Sequence, residues 1–246
     1  MNKTVNELFD FIKACPTGYN AVKTLSERFE KMGCVRLSEN SAWELSPGGK
    51  YYVTRNMSSV IAFSLPDRGY GPFKIIASHC DSPIFKLKTN FELSSGDDYV
   101  KIDTERYGGM IMSTWFDRPL SLAGRVVIES DDGVYTEMID LKEPLLVIPN
   151  MPIHFNRNVN DGCPLNAQVD TIPIAGSAAV KGKIIDRIAE AAGTAPEKIV
   201  GYDLFAYCAE EGKVVGVATL SAYFPVFKYL AILPTGNCNP ALADLD

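Results

Sequence analysis

The chain has 246 residues, 46% hydrophobic and 22% charged, with 24 Lys+Arg against 30 Asp+Glu and a net charge of -6. That is one large domain or two small ones, with apolar content enough for a core, which excludes intrinsic disorder. The acidic balance leaves no basic reserve for gripping a phosphate backbone and argues against nucleic acid as a partner.

The opening MNKTVNELFDFIKAC carries no apolar leader run, so a secretory signal is not expected. Within it Val5, Leu8, Phe9 and Ile12 recur at helical spacing over residues 4–14, and Cys15-Pro16-Thr17-Gly18 stops that helix. A second amphipathic helix follows with Ala21, Val22, Leu25, Phe29 and Met32 on one face, closed by Gly33. Tyr51–Thr54, Ser59–Phe63 and Phe73–Ala77 read as short strands. From about residue 84 the runs IFKLK, YVKID, GRVVIES, VYTEMIDL and PLLVIP are strand-like, separated by Gly, Asp or Pro. Helical periodicity returns at Lys181–Ala192, which Gly193 closes. The six cysteines form no CxxC pair and read as reduced thiols of a cytoplasmic protein. After Lys213 only Lys228, Asp244 and Asp246 are charged. Pro225 and Lys228 in the middle of that apolar tail argue against a membrane span.

Only two histidines are present. His79 follows the run Lys74–Ser78 in Ser78-His79-Cys80-Asp81-Ser82-Pro83, and ligand sites of open α/β sheets lie beyond the carboxyl ends of strands. An imidazole there can ligate a metal, with Asp81 taking the other ring N–H and fixing the tautomer. A loop histidine simply bonded to its aspartate is the plainer alternative. Cys80 reads as a packed thiol, and His154, between Ile153 and Phe155, as a buried, satisfied side chain on spacing alone. Gly108-Gly109 suggests a bend or bulge, Asp131-Asp132-Gly133 a hairpin turn, and Asp97-Asp98 a solvated turn.

Several blocks resemble the M18 family of metallo-aminopeptidases, the aspartyl aminopeptidases, and stand in the family's order. They are CPTGYNAVKTL (15–25), SHCDSPIFKLK (78–88), YGGMIMSTWFDRPLSLAGRV (107–126), LLVIPNMPIHFNRNVNDG (145–162), NAQVDTIPI (166–174) and GYDLFAY (201–207). The resemblance implies an α/β chain: part of an α/β/α zinc-peptidase catalytic domain over 1–90, an inserted β-rich dimerisation domain over 91–198, and a return segment over 199–246 that ends in a non-matching tail. It implies that His79 is a zinc ligand of a two-zinc site and that Asp81 orients it. His154, by the same resemblance, reaches into a partner subunit's active site, which reverses the buried reading. Asp117 and Arg118 fall in dimerisation-domain structure and carry no catalytic role. The implied activity is removal of N-terminal Asp or Glu from peptides by a homo-oligomer.

The same pattern departs after GYDLFAYCAEEGKVVG. The family's bridging aspartate, its Glu-Glu pair, a further carboxylate ligand and a final histidine have no counterpart downstream. The expectation is therefore an interrupted member, truncated or frameshifted from about Val215 and inactive alone, since catalytic zinc needs three protein ligands. The alternative is a non-catalytic oligomerisation module able to join full-length homologues.

Overall fold

The computed structural model describes residues 3–69, 71–96, 98–162, 164–215 and 221–223. Helix α1 (Lys3–Ala14) buries Ile12 and stops at Cys15-Pro16, because proline disfavours helical backbone in the residue before it. Thr17 then caps α2 (Gly18–Lys31) by accepting from the Asn20 N–H. Gly33, at φ 78°, closes α2. Its N–H donates to Glu30 O at 3.0 Å, and the Cys34 N–H donates to Phe29 O at 2.9 Å. Those two bonds satisfy carbonyls that the helix end would leave open. Both helices stand where the periodicity puts them.

A small sheet follows, ordered β1-β2-β3 from Val35–Leu37, Lys50–Arg55 and Ser59–Ser64, with β1 parallel and β3 antiparallel to β2. Tyr52 on β2 is fully buried, its ring 5.8 Å from that of Phe29 and its hydroxyl donating to Glu30. This joins α2 to the sheet.

The larger sheet contains β4 (Ile84–Ser95), β5 (Tyr99–Tyr107), β6 (Leu120–Ser130), β7 (Gly133–Asp140), β8 (Ile174–Ser177) and β9 (Ile199–Cys208). Its order is β7-β6-β9-β4-β5-β8, with every neighbour antiparallel. Its strands thus come from residues 84 to 208. Asp131-Asp132 make the two-residue β6–β7 turn, as the sequence suggests, with Ser130 paired to Gly133. Gly124 is required in β6: a Cβ there would lie 2.1 Å from the Asp203 carbonyl oxygen.

Strand alternation gives this sheet two unlike faces. Leu120, Leu122, Val126 and Ile128 of β6, with Phe85, Leu87, Ile102 and Leu204, form the core. Ile184 and Ile188 of α3 (Lys183–Ala192), Trp115 and Ile148 complete it. The opposite face carries Lys86, Lys88, Asp103, Arg125 and Asp203. There Asp203 takes Lys86 at 3.0 Å and Arg125 at 2.8 Å, and the Tyr19 hydroxyl donates to it at 3.1 Å. The Arg125 guanidinium also lies over the Tyr19 ring, 4.6 Å from its centre, and donates to Asn56 O. This cluster ties α2 and the β2–β3 turn to the charged face.

Two expected strands are not formed. Phe73–Ala77 has no regular structure, and Phe73, Ile75 and Ile76 are 87, 84 and 75% exposed. A strand needs a ladder partner for its N–H and C=O groups, and no described strand is paired with this run. PLLVIP makes only isolated bridges at Leu146, Val147 and Ile148. Past β9, β10 (Lys213–Val215) pairs antiparallel with β11 (Ser221–Tyr223), and most of the apolar tail lies outside the described residues. Asp97, Cys163 and Cys238 lie outside them too. Among the described residues no helix is long and apolar enough to cross a membrane.

Candidate functional site

Asp81 stands three residues ahead of β4, and the β4–β5 register pairs Ile84 with Tyr107. That pairing brings the 78–83 segment to the end of β5. Beyond Tyr107 the chain turns through Gly108 at φ 76°, against Pro83: a Cβ on Gly108 would lie 3.5 Å from the Pro83 Cα. The first residue of α2, Gly18, borders Asp81 from the other side.

His79 Nδ1 lies 2.9 Å from the Asp81 carbonyl oxygen and 3.2 Å from Asp81 Oδ1. A carbonyl oxygen only accepts, so Nδ1 is the donor, and in the neutral ring that assignment leaves the lone pair on Nε2. The other carboxylate oxygen, Oδ2, accepts from the Tyr107 hydroxyl at 2.6 Å. This bond is the foremost reason the Asp81 carboxyl is held below its usual range, with the His79 ring adding to it against partial burial. The same bond, with burial, pushes the Tyr107 phenol up to about 12. The His79 side chain is 59% exposed, so Nε2 belongs to a ring open to solvent.

Cys80, between them, donates from Sγ to Ser58 O at 3.2 Å, and burial raises its thiol. It is the packed thiol the sequence suggests, since the thiolate is the reactive form. Cys15, Cys34 and Cys208 are likewise free.

His154 is exposed, on a turn with exposed Ile153 and Phe155, which overturns its reading as a buried core histidine. Among the described residues no hydrogen bond or ion pair joins it to His79 or Asp81. Its loop is anchored upstream by Asp117: the Asp117 N–H donates to Ile148 O, and Asp117 Oδ1 accepts from the Asn150 N–H at 2.9 Å. Arg118 pairs with Glu210 and donates to Thr114 O. The Asp117 side chain thus shapes the loop, while Arg118 ties the Thr114 turn to Glu210 beyond β9.

Tyr107 was missed by sequence reasoning. It sits 26 residues from Asp81, and only the strand register makes them neighbours. Imidazole nitrogen suits zinc, and catalytic zinc needs three protein ligands. Among the described residues no group of three or more His, Cys, Asp or Glu gathers for a metal. The donor chemistry fits one ligand position, and the described residues do not complete the cage.

A mixed α/β chain that presents one exposed imidazole bonded to a following aspartate offers a single ligand position, and the comparisons with known proteins supply its class. The family is definite: residues 11–222 match the model for the aminopeptidase I zinc metalloproteases (M18), and the chain belongs to that family. The match runs seven residues past Val215, so the stretch just beyond Val215 is family sequence. A probable M18 family aminopeptidase 2 of Clostridium novyi is 40% identical over 226 residues, 87% of this chain and 52% of its own length. A solved structure of the Ape4 and Nbr1 complex superposes at a TM-score of 0.83 with 35% identity, over 87% of this chain and 45% of that one. The S. cerevisiae mApe1 dodecamer, at 0.73 and 24% identity over 88% and 50%, shares the fold. The chain spans about half the length of the relatives it matches.

Proposed function

We propose that this chain contributes the first zinc-ligand position of an aminopeptidase that removes N-terminal Asp or Glu from peptides. The observation that carries the reading is the contact of His79 Nδ1 with the Asp81 carbonyl at 2.9 Å and carboxylate at 3.2 Å, a geometry that assigns the proton to Nδ1 and leaves Nε2 for a metal. Bound zinc, two ions per site in the family pattern, would polarise the scissile carbonyl and acidify a water. His79 holds the metal, and Asp81 orients His79. His154, on its exposed loop, reaches across to the site of a partner subunit. The assembly is a homo-oligomer in the cytoplasm, joined through the inserted β-rich domain over 91–198. Alone, the chain binds zinc weakly and does not turn over, because one imidazole cannot hold catalytic zinc.

The test is hydrolysis of an N-terminal Asp-peptide with added zinc. The isolated chain is expected to be silent. Mixed with a polypeptide covering the remaining half of the Clostridium novyi relative, it is expected to hydrolyse Asp-peptides and to lose that activity on His79→Ala. Tight, stoichiometric zinc with turnover by the isolated chain would overturn the incomplete-site reading. Restored activity indifferent to His79→Ala would overturn the ligand assignment.

A second reading, a non-catalytic oligomerisation module, is favoured by exposed Met151, Ile153 and Phe155 beside a well-packed sheet. Sedimentation separates it: a dimer without complemented activity supports the module, and a strict monomer removes it.

A further inference from the structure

The hydroxyl of Tyr107 reaches the pair of residues that matters most in this chain. A carboxylate on a single Cβ turns about χ2 with little resistance, because terminal torsions onto a planar group are broad. Asp81 is not left to turn. Its Oδ1 faces His79 Nδ1 at 3.2 Å, and its Oδ2 is gripped by the Tyr107 hydroxyl at 2.6 Å.

Tyr107 is itself braced. The Ile84–Tyr107 pairing fixes its backbone, and its ring meets the Phe205 ring edge-on at 6.0 Å. Phe205 in turn lies 6.2 Å from the ring of Tyr19, at the start of α2.

We propose that Tyr107 is a positioning residue for the metal ligand, holding the Asp81 carboxylate in the rotation that keeps the proton on His79 Nδ1 and Nε2 free for zinc. The inference rests on the reading of His79 as a zinc ligand. It adds that the large sheet, through the last residue of β5, sets the orientation of a ligand in the segment before β4.

The chemistry follows from the acceptors. Nδ1–H is shared between the Asp81 carbonyl at 2.9 Å and the carboxylate. The carbonyl alone favours the proton on Nδ1 modestly, while the carboxylate adds a full charge and makes Nε2 a stronger donor to metal. Without the Tyr107 hydroxyl, Oδ1 is free to rotate away, and the neutral carbonyl is left as the acceptor.

The test is two-bond proton–nitrogen spectroscopy of the full chain labelled at histidine, above the pH of imidazole titration. His79 and His154 are the only two histidines, so His154→Gln assigns the signals. The unaltered chain is expected in the Nδ1–H form. Tyr107→Phe is expected to raise the minor tautomer by about threefold, and to do nothing further in an Asp81→Ala background. An unchanged tautomer in a natively folded Tyr107→Phe chain overturns the proposal. So does an equal shift in the Asp81→Ala background, which is what a merely structural effect of the ring would give.

Should Tyr107→Phe fail to fold, the unaltered chain still decides. A Tyr107 hydroxyl proton that exchanges slowly enough to be resolved supports the grip, and one exchanging freely with water overturns it. None of these spectra contains zinc. If zinc added afterwards leaves His79 Nε2 unmoved, the ligand reading fails while the tautomer result stands on its own.

Discussion

Phe85, Leu87 and Ile102 of the large sheet are at most 2% exposed, whereas Phe73, Ile75 and Ile76, a short way upstream and just as apolar, lie almost wholly in solvent. Both stretches have β-rich composition. The difference is partners: β4 lies between β5 and β9, its apolar side chains belong to the core cluster, and the Phe85 ring meets that of Trp115 edge-on at 5.1 Å. No described strand pairs with the 71–83 segment. Apolar sequence becomes buried structure only where something stands opposite it. His79 lies in the segment that has no described strand partner, and the family relatives are about twice the length of this chain.

The sharpest way to break this comparison is to make one change on each side. Leu204→Ala, in the core of β9, is expected to cost about 2–5 kcal/mol in denaturant unfolding. Ile75→Ala, at a residue as apolar, is expected to cost less than about 0.5 kcal/mol. Equal losses would mean that residues 73–77 are packed in solution.

The charged face supplies the intermediate effect. Asp203 is opposed by burial, but the hydrogen bonds and charges of Lys86 and Arg125 outweigh it and leave the folded carboxyl below its usual range. A carboxyl lowered on folding stabilises above its unfolded pKa of about 3.9, and that stability is lost as pH falls through the folded value. Asp203→Asn is expected to cost about 1–3 kcal/mol at neutral pH and to flatten acid unfolding. Unfolding curves at pH 7 and in acid check both. A variant that keeps the full acid dependence would show that Asp203 does not carry it.

The smallest effect is expected in self-association. Phe73→Ser with Ile75→Ser should leave the unfolding midpoint unchanged and lower aggregation seen by light scattering, because an exposed apolar run with open backbone groups invites pairing. Unchanged scattering would place the sticky surface elsewhere, with the Met151–Phe155 loop next in line.

Much of this was legible from residue patterns. Cys15–Gly18 marks the stop of α1 and Gly33 the end of α2, the Asp131-Asp132 turn marks the β6–β7 hairpin, and the His79–Asp81 contact is local enough for spacing to suggest. Residues 73–77 were misjudged because composition reports β preference and cannot report whether a ladder partner exists. Tyr107 was invisible for a related reason: its contact with Asp81 depends on the register of two strands, not on sequence distance. The apolar neighbours of His154 suggest burial on spacing alone, a reading the family resemblance reverses, and the turn exposes those neighbours along with it.

The account turns on His79 Nε2 being the atom that meets zinc. Titrating zinc into the histidine-labelled chain tests this most directly. The account predicts a shift of His79 Nε2 while Nδ1 keeps its proton, with weak affinity and no matching shift at His154. Zinc that binds with His79 unmoved, or that displaces the Nδ1 proton, would contradict it.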